Sequence, residues 1–343
     1  MKHDEMNNGN PSGAELTALT RRFAQESRVR SWWVFGSTFT MLLAVMIFVA
    51  LAPWSWWPAR IPAMLLGTLL MVRGFILYHD FMHGTILKKS IVAKLILHFY
   101  GLIFLTPPRI WRDTHNFHHA NVGKVAEASV GSFPMMTLAQ WQAASPFRRF
   151  YYRLTRNPLI IVFAYLTIFF YSTVIESLVK HPVKYWDSGL ALVVHGGLIT
   201  LLWLLGGPML AAVVFIMPFT LATAFGAYLF YAQHNFRGMR VLPQANWNNG
   251  QASLESASYL KLDPVMDWFT GNIGYHHVHH YNLGIPFYRL PATMKAIPAL
   301  QAPVTTTLYP HDVLGCLRLK LWDEEGGKML SFREARRAMA ERA

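Results

Sequence analysis

Residues 32–52 form an apolar run without a single charged side chain. A helix rises 1.5 Å per residue, so these 21 residues are long enough to cross a hydrocarbon core of roughly 30 Å. Inside lipid every backbone N–H and C=O must be satisfied within the segment, which restricts such a run to helix. Composition agrees: the chain is 53% hydrophobic and only 14% charged, about half the charged share of a soluble domain. An unusually greasy soluble core does not account for an uncharged span of this length. The sequence therefore reads as an all-α integral membrane protein.

The formal net charge is +13. The basic residues are not one patch, however. They cluster beside apolar segments, as in Arg21, Arg22, Arg28 and Arg30, then Arg148, Arg149, Arg153 and Arg156. That distribution follows the positive-inside bias and argues against nucleic acid as a partner. The single cysteine, Cys316, excludes an intrachain disulfide and removes thiolates from any metal site. Residues 1–12 are polar and read as disordered, and 14–27 as an amphipathic helix on the cytosolic surface. No apolar core precedes a cleavage site in residues 1–30, so the first span itself is expected to direct insertion.

A Trp-rich turn at 53–58 suits the far membrane interface, and residues 61–78 return as a second span. Arg73 within it reads as a side chain snorkelling to the headgroups. Residues 91–106 are apolar but short and end at Pro107 and Pro108. A single crossing there would place the flanking histidines on opposite sides, so a re-entrant or interfacial segment is expected. The same parity reasoning applies to 159–177, 189–206 and 208–231. Lys180, His181 and Lys184 mark one loop as cytosolic, and the Gly206, Gly207, Pro208 link as the far turn. Residues 189–231 become a hairpin, 159–177 lies in the interface, and four transmembrane helices result. The expected organisation is a cytosolic N-terminal segment (1–30), a membrane domain (31–325) and a cytosolic helical tail (326–343). The region after 282 caps the site.

Three histidine clusters lie at the expected cytosolic ends of these segments. His79 and His83 are spaced i, i+4. His115, His118 and His119 are spaced i, i+3, i+4, and His276, His279 and His280 repeat that pattern. On helices each cluster presents one face of imidazoles. Neutral imidazole is the commonest transition-metal ligand, and eight of them are too many for one ion and about right for two. His234, just after the last span, is a natural ninth. His277 falls off the shared face. His3, His98, His181, His195 and His311 fit no cluster. Of these, His98 and His195, inside apolar stretches, read as hydrogen-bonded structural residues.

These clusters and their placement resemble the three histidine boxes of membrane-bound fatty acid desaturases. Trp268, Phe269, Thr270, Gly271, Asn272, Ile273 and Gly274 before the third box agree, as do Ile285, Pro286, Phe287, Tyr288, Arg289 and Leu290 after it. The stretches 111–120 and 137–141 are similar to the bacterial acyl-lipid, omega-6-type branch. Phe81 and Met82 depart from the common Cys-Gly of the first box, and Asn282, Leu283 and Gly284 depart from the usual residues after the third. The resemblance implies a dimetal centre of two Fe ions on His79, His83, His115, His118, His119, His234, His276, His279 and His280. Asp80 would orient a ligand from outside the metal shell.

It also implies a fatty acyl lipid substrate, O2, and an external electron donor such as ferredoxin or a cytochrome. The expected location is the bacterial inner membrane with the site facing the cytosol. Unactivated C–H bonds offer no acidic proton, which is why such chemistry needs a redox cofactor. A hydroxylase or carotenoid ketolase would use the same plan. A metal transporter would need polar ligands near mid-membrane, where the spans offer only Arg73 and His195.

Overall fold

The computed structural model describes residues 13–124, 133–243, 245 and 247–342. The expectation for residues 1–12, and His3 with it, lies outside them. The amphipathic helix α1 (Gly13–Arg21) is shorter than the stretch predicted for it. Its Thr17 and Tyr281 hydroxyls meet at 3.2 Å, so α1 lies against the third histidine box.

Helices α2 (Arg28–Leu51) and α3 (Trp57–His83) form an antiparallel pair. They face lipid with exposed apolar side chains such as Leu43, Leu51, Ile61 and Leu65. At their far turn Arg60 is buried against the Trp54 ring, 3.9 Å from its centroid, and donates to the Ala52 carbonyl. Helix α4 (Ile91–Ile103) is capped by the Ser90 hydroxyl, and α5 (Pro108–Ala120) starts at the proline break, bent 86° from it. Tyr78 donates to Thr106 O at 2.7 Å and Tyr100 to Met71 O at 2.5 Å, tying this bend beside the end of α3. A bend this sharp makes the pair a broken span or a re-entrant loop, and the tie to the end of α3 fits the re-entrant expectation.

Short helices α6 (Leu138–Ala143), α7 (Pro146–Thr155) and α8 (Pro158–Val162) follow strand β1 (Met136–Thr137). A π-helical stretch (Tyr165–Ile175) then leads into α9 (Glu176–Lys180). Both ends of this run are tied to the histidine side. Arg156 donates to Asn235 Oδ1 at 2.6 Å, one residue after His234. Ser177 bonds Ser188 at the start of the next helix, whose Asp187 accepts from the Arg109 N–H of α5. The run therefore lies alongside the bundle rather than across it.

Helix α10 (Trp186–Ala211) continues through a short π turn into α11 (Met217–Gln233), a 48-residue apolar stretch. It is not one rod. The His195 ring lies 5.1 Å from both Phe215 and Phe219, whereas a straight helix would separate His195 and Phe215 by roughly 30 Å. The chain reverses at Gly206 and Gly207, where Gly207 has φ 76° and ψ −177°. With α2 and α3 this hairpin gives four membrane crossings. His195 bonds Tyr165 and the Ile103 carbonyl, both at 2.7 Å, as a structural histidine should. His98 instead packs edge-on against Phe81.

The rest of the chain caps one end of the bundle. It comprises α12 (Asn249–Glu255), β2 (Tyr259–Leu260), α13 (Pro264–Phe269), α14 (His276–Tyr281), α15 (Leu290–Ala296) and β3 (Thr305–Thr306). These are followed by α16 (Pro310–Arg318), β4 (Leu321–Asp323), β5 (Lys328–Leu330) and α17 (Phe332–Glu341). Strand β4 pairs with β1 in parallel and with β5 antiparallel, and β2 pairs with β3 in parallel. These two- and three-residue strands are too short to leave an alternating pattern in the sequence. Residue 326 lies in the β4–β5 turn, so the tail helix packs on the same small sheet as residues 136–137.

Arg73 corrects one sequence expectation. It does not snorkel: it is 4% exposed, donates from Nε to Thr38 Oγ1 at 3.0 Å and from Nη1 to the Trp268 carbonyl, and stacks 3.9 Å from the Trp268 ring centroid. The cap supplies that carbonyl and ring, so the side chain has no need to reach the headgroups.

Candidate metal centre

Each histidine is held by a different local device. His79 and His83 stand one turn apart at the C-terminal end of α3, which stops at Gly84 in the left-handed conformation (φ 70°). His115, His118 and His119 lie on the last turns of α5, with the Trp111 ring stacked 4.3 Å from His115. His234 is the residue that ends α11, and His276, His279 and His280 occupy the short helix α14.

The structure brings all nine together and sorts them into two groups. His79, His83, His115, His119 and His279 form one, and His118, His234, His276 and His280 the other. Within each group one nitrogen per ring lies within 4.8 Å of every other. Each three-histidine box is thus divided between the groups. Adjacent residues His118 and His119 point to different groups, as do His279 and His280. A single shared face, as the spacing suggested, is not how the boxes are used.

The nitrogen geometry fits metal ions. In the first group His115 Nε2 is 3.0 Å from both His83 Nε2 and His119 Nε2. In the second, His276 Nε2 lies 2.7 Å from His234 Nε2 and 3.1 Å from His280 Nε2, and His118 Nε2 is 3.1 and 3.2 Å from the same two atoms. A neutral imidazole carries one N–H, so four Nε2 atoms meeting this way cannot all be hydrogen-bonded to one another. Two nitrogens bound to one ion at roughly 2.1 Å and a right angle stand roughly 3 Å apart. The buried His279 Nε2 has no hydrogen-bond partner, which leaves its lone pair for the same centre.

Outer contacts fix the rings. Asp80 Oδ1 lies 3.1 Å from His79 Nδ1, leaving Nε2 for the group, while Asp80 Oδ2 accepts the Phe287 N–H at 2.7 Å. One carboxylate so ties the first box to the segment after the third. The Ser256 carbonyl sits 3.0 Å from His234 Nδ1, setting that tautomer. His119 Nδ1 and His280 Nδ1 approach to 3.2 Å at the boundary between the groups. Burial lowers the His234 pKa to about 4, against an opposing pull from the Ser256 carbonyl. Burial and then the neighbouring imidazoles push His276, His279 and His280 well below the ordinary value. Near neutral pH these rings are neutral, as metal ligands must be.

His277 belongs to neither group. Its Nε2 donates to the Leu300 carbonyl at 3.0 Å and pins α14 to the segment after α15. Sequence reasoning missed the contribution of Arg73, because nothing near it in the chain predicts contact with Trp268, which lies on α13.

Fold and site together define an integral membrane protein with a histidine cluster shaped for two metal ions. The family model for fatty acid desaturases matches residues 54–309, about three quarters of the chain. A fatty acid desaturase of Bacillus subtilis (strain 168) is 30% identical over 273 residues, covering 77% of this chain and 74% of that protein. An sn-1 oleoyl-lipid 12-desaturase of Picosynechococcus is 21% identical over 298 residues, covering 82% and 80%. One of the same description from Synechocystis is 21% identical over 247 residues, covering 63% and 62%. The chain belongs to the fatty acid desaturase family, and membership makes it an oxidoreductase of fatty acyl groups.

Proposed function

We propose that this protein is a diiron desaturase that introduces a double bond into an acyl chain carried on a membrane lipid, using O2 and electrons from an external donor such as ferredoxin or a cytochrome. The observation that carries the reading is the meeting of nine imidazoles, from four separate parts of the chain, in two groups of five and four. His79, His83, His115, His119 and His279 would hold one iron, and His118, His234, His276 and His280 the other. Bound there, the iron pair supplies the oxidising power that acid–base side chains lack towards an unactivated C–H bond.

The chain's own residues do the positioning. Asp80 and the Ser256 carbonyl fix the His79 and His234 rings, and the cap folds α14 down onto α3 and α5. The lipid-linked substrate is supported by the two relatives that are sn-1 oleoyl-lipid 12-desaturases. A cytosolic site in the bacterial inner membrane is supported by Lys180, Lys184 and the arginines of α7 on the histidine side. Within this scheme residues 1–30 form a cytosolic N-terminal segment with an amphipathic helix, 31–325 the membrane desaturase domain and 326–343 the cytosolic helical tail.

Expression in a bacterial host with a working electron donor, followed by lipid analysis with double-bond mapping, tests the proposal. A new unsaturated acyl species is expected, and His118→Ala should abolish it. New oxygen in place of a double bond would move the assignment to a hydroxylase. An unchanged lipid profile from folded, iron-loaded protein would reject the desaturase reading.

A further inference from the structure

Between the first turns of α2 and the cap lies a groove of about 500 Å³. Its walls include Arg30 and Trp33 of α2, Arg73 of α3, Asp267 and Trp268 of α13, and Tyr275 beside the third box. Two guanidinium groups line it, and neither is paired with the one carboxylate there, that of Asp267. Arg73 is buried yet bonded only to the neutral oxygens of Thr38 and Trp268, and Arg30 sits 4.6 Å from the Tyr288 ring centroid. Neither has an ion-pair partner among the described residues. A buried cation without a counter-charge is costly, and guanidinium recognises phosphate with particular geometric fit.

The same groove contains the opposite preference. Asp267 Oδ1 is buried and has no hydrogen-bond partner among the described residues, and the aromatic residues Trp33, Trp268 and Tyr275 line the same groove. A carboxylate among aromatic rings suits an ammonium group. The groove is also placed for lipid: Trp33 is 73% exposed on the outer face of the first span. Arg73 lies about 9 Å before His79 along α3.

We propose that this groove seats the headgroup of a zwitterionic phospholipid, with its phosphate against Arg30 and Arg73 and its ammonium against Asp267 and the aromatic walls. The assignment deepens the lipid-linked reading above and rests on it for the fate of the acyl chain. Headgroup binding itself needs no turnover.

The test is lipid retention by the full chain, measured by native mass spectrometry with dioleoylphosphatidylethanolamine, dioleoylphosphatidylglycerol and dioleoylglycerol. The wild type should hold the ethanolamine lipid best and dioleoylglycerol least. Arg30→Gln, at an exposed position that leaves the packing intact, should weaken both phospholipids by about tenfold, the scale of one lost charge-assisted contact. Asp267→Asn should keep phosphatidylglycerol binding and lose the preference for ethanolamine, and Arg73→Lys should weaken both phospholipids again. Equal retention of dioleoylglycerol, an unaffected Arg30→Gln, or displacement of the lipid by millimolar inorganic phosphate would overturn the assignment. Retention with this selectivity by a protein that makes no unsaturated product would sink the desaturase reading and leave the groove standing.

Discussion

His118 and His119 are consecutive on α5 yet serve different groups, because successive helical residues point about 100° apart. The division makes a residue-level prediction about metal content. His83→Ala removes a ligand from the five-histidine group and His276→Ala one from the four-histidine group. Each single variant should purify with close to one metal ion per chain fewer than the wild type, and the double variant with close to none, by elemental analysis. Loss of both ions from either single variant would mean that the groups act as one site. The spacing of the boxes was legible in the sequence because i, i+3 and i+4 neighbours share a helix face. Their partition was not, because it depends on where α5 and α14 cross. Arg73 was misread for a related reason, since its partners Thr38 and Trp268 are distant in sequence. His277, set apart in the sequence, lies in neither group, and its bond to Leu300 supplies the purpose that the sequence withheld.

At the scale of elements, apolar runs and proline breaks were enough to place α2, α3, the sharply bent α4–α5 pair and the α10–α11 hairpin. The hairpin turn depends on Gly207, whose φ of 76° with ψ of −177° is a conformation essentially reserved for glycine. A Cβ at this position would meet no atom within 4 Å, so substitution probes the backbone alone. Gly207→Ala should destabilise the protein by about 1–3 kcal/mol, read from its unfolding curve, without changing metal content. The cap offers a different test. Lys320 is 7% exposed and donates to the Arg156 carbonyl, and burial together with the Arg156 charge lowers its pKa to about 7. Unfolded, the same amine titrates near about 10.4. Across pH 7 to 10 the unfolded chain therefore holds a proton that the folded chain lacks, so this residue makes stability rise with pH. Lys320→Met should be more stable than the wild type at pH 7, by about 1–3 kcal/mol, and the difference should shrink towards pH 10. The strands that bring Lys320 there were invisible in the sequence, because β4 is only three residues long.

For the whole molecule, the nine histidines come from α3, α5, the end of α11 and α14, so bound metal would staple the cap to the bundle. Helix α14 has only six residues, fewer than an isolated helix needs to persist in water. Its other anchors include the His277 bond to Leu300, the Ser253 bond to the His280 carbonyl at 3.1 Å, the Tyr281 hydroxyl against α1, and packing against α12. A ligand that binds only the folded state stabilises it by about 4 kcal/mol at a thousandfold excess over Kd. Chelation should therefore speed amide exchange selectively in α14 and at the end of α5, with α2 unchanged, and added Fe(II) should restore protection. Hydrogen-exchange mass spectrometry reads the three segments separately. Equal protection of α14 with and without metal would show that the polar anchors and packing hold the cap by themselves. The crowded imidazole nitrogens would then be a preformed site that metal enters without changing the fold.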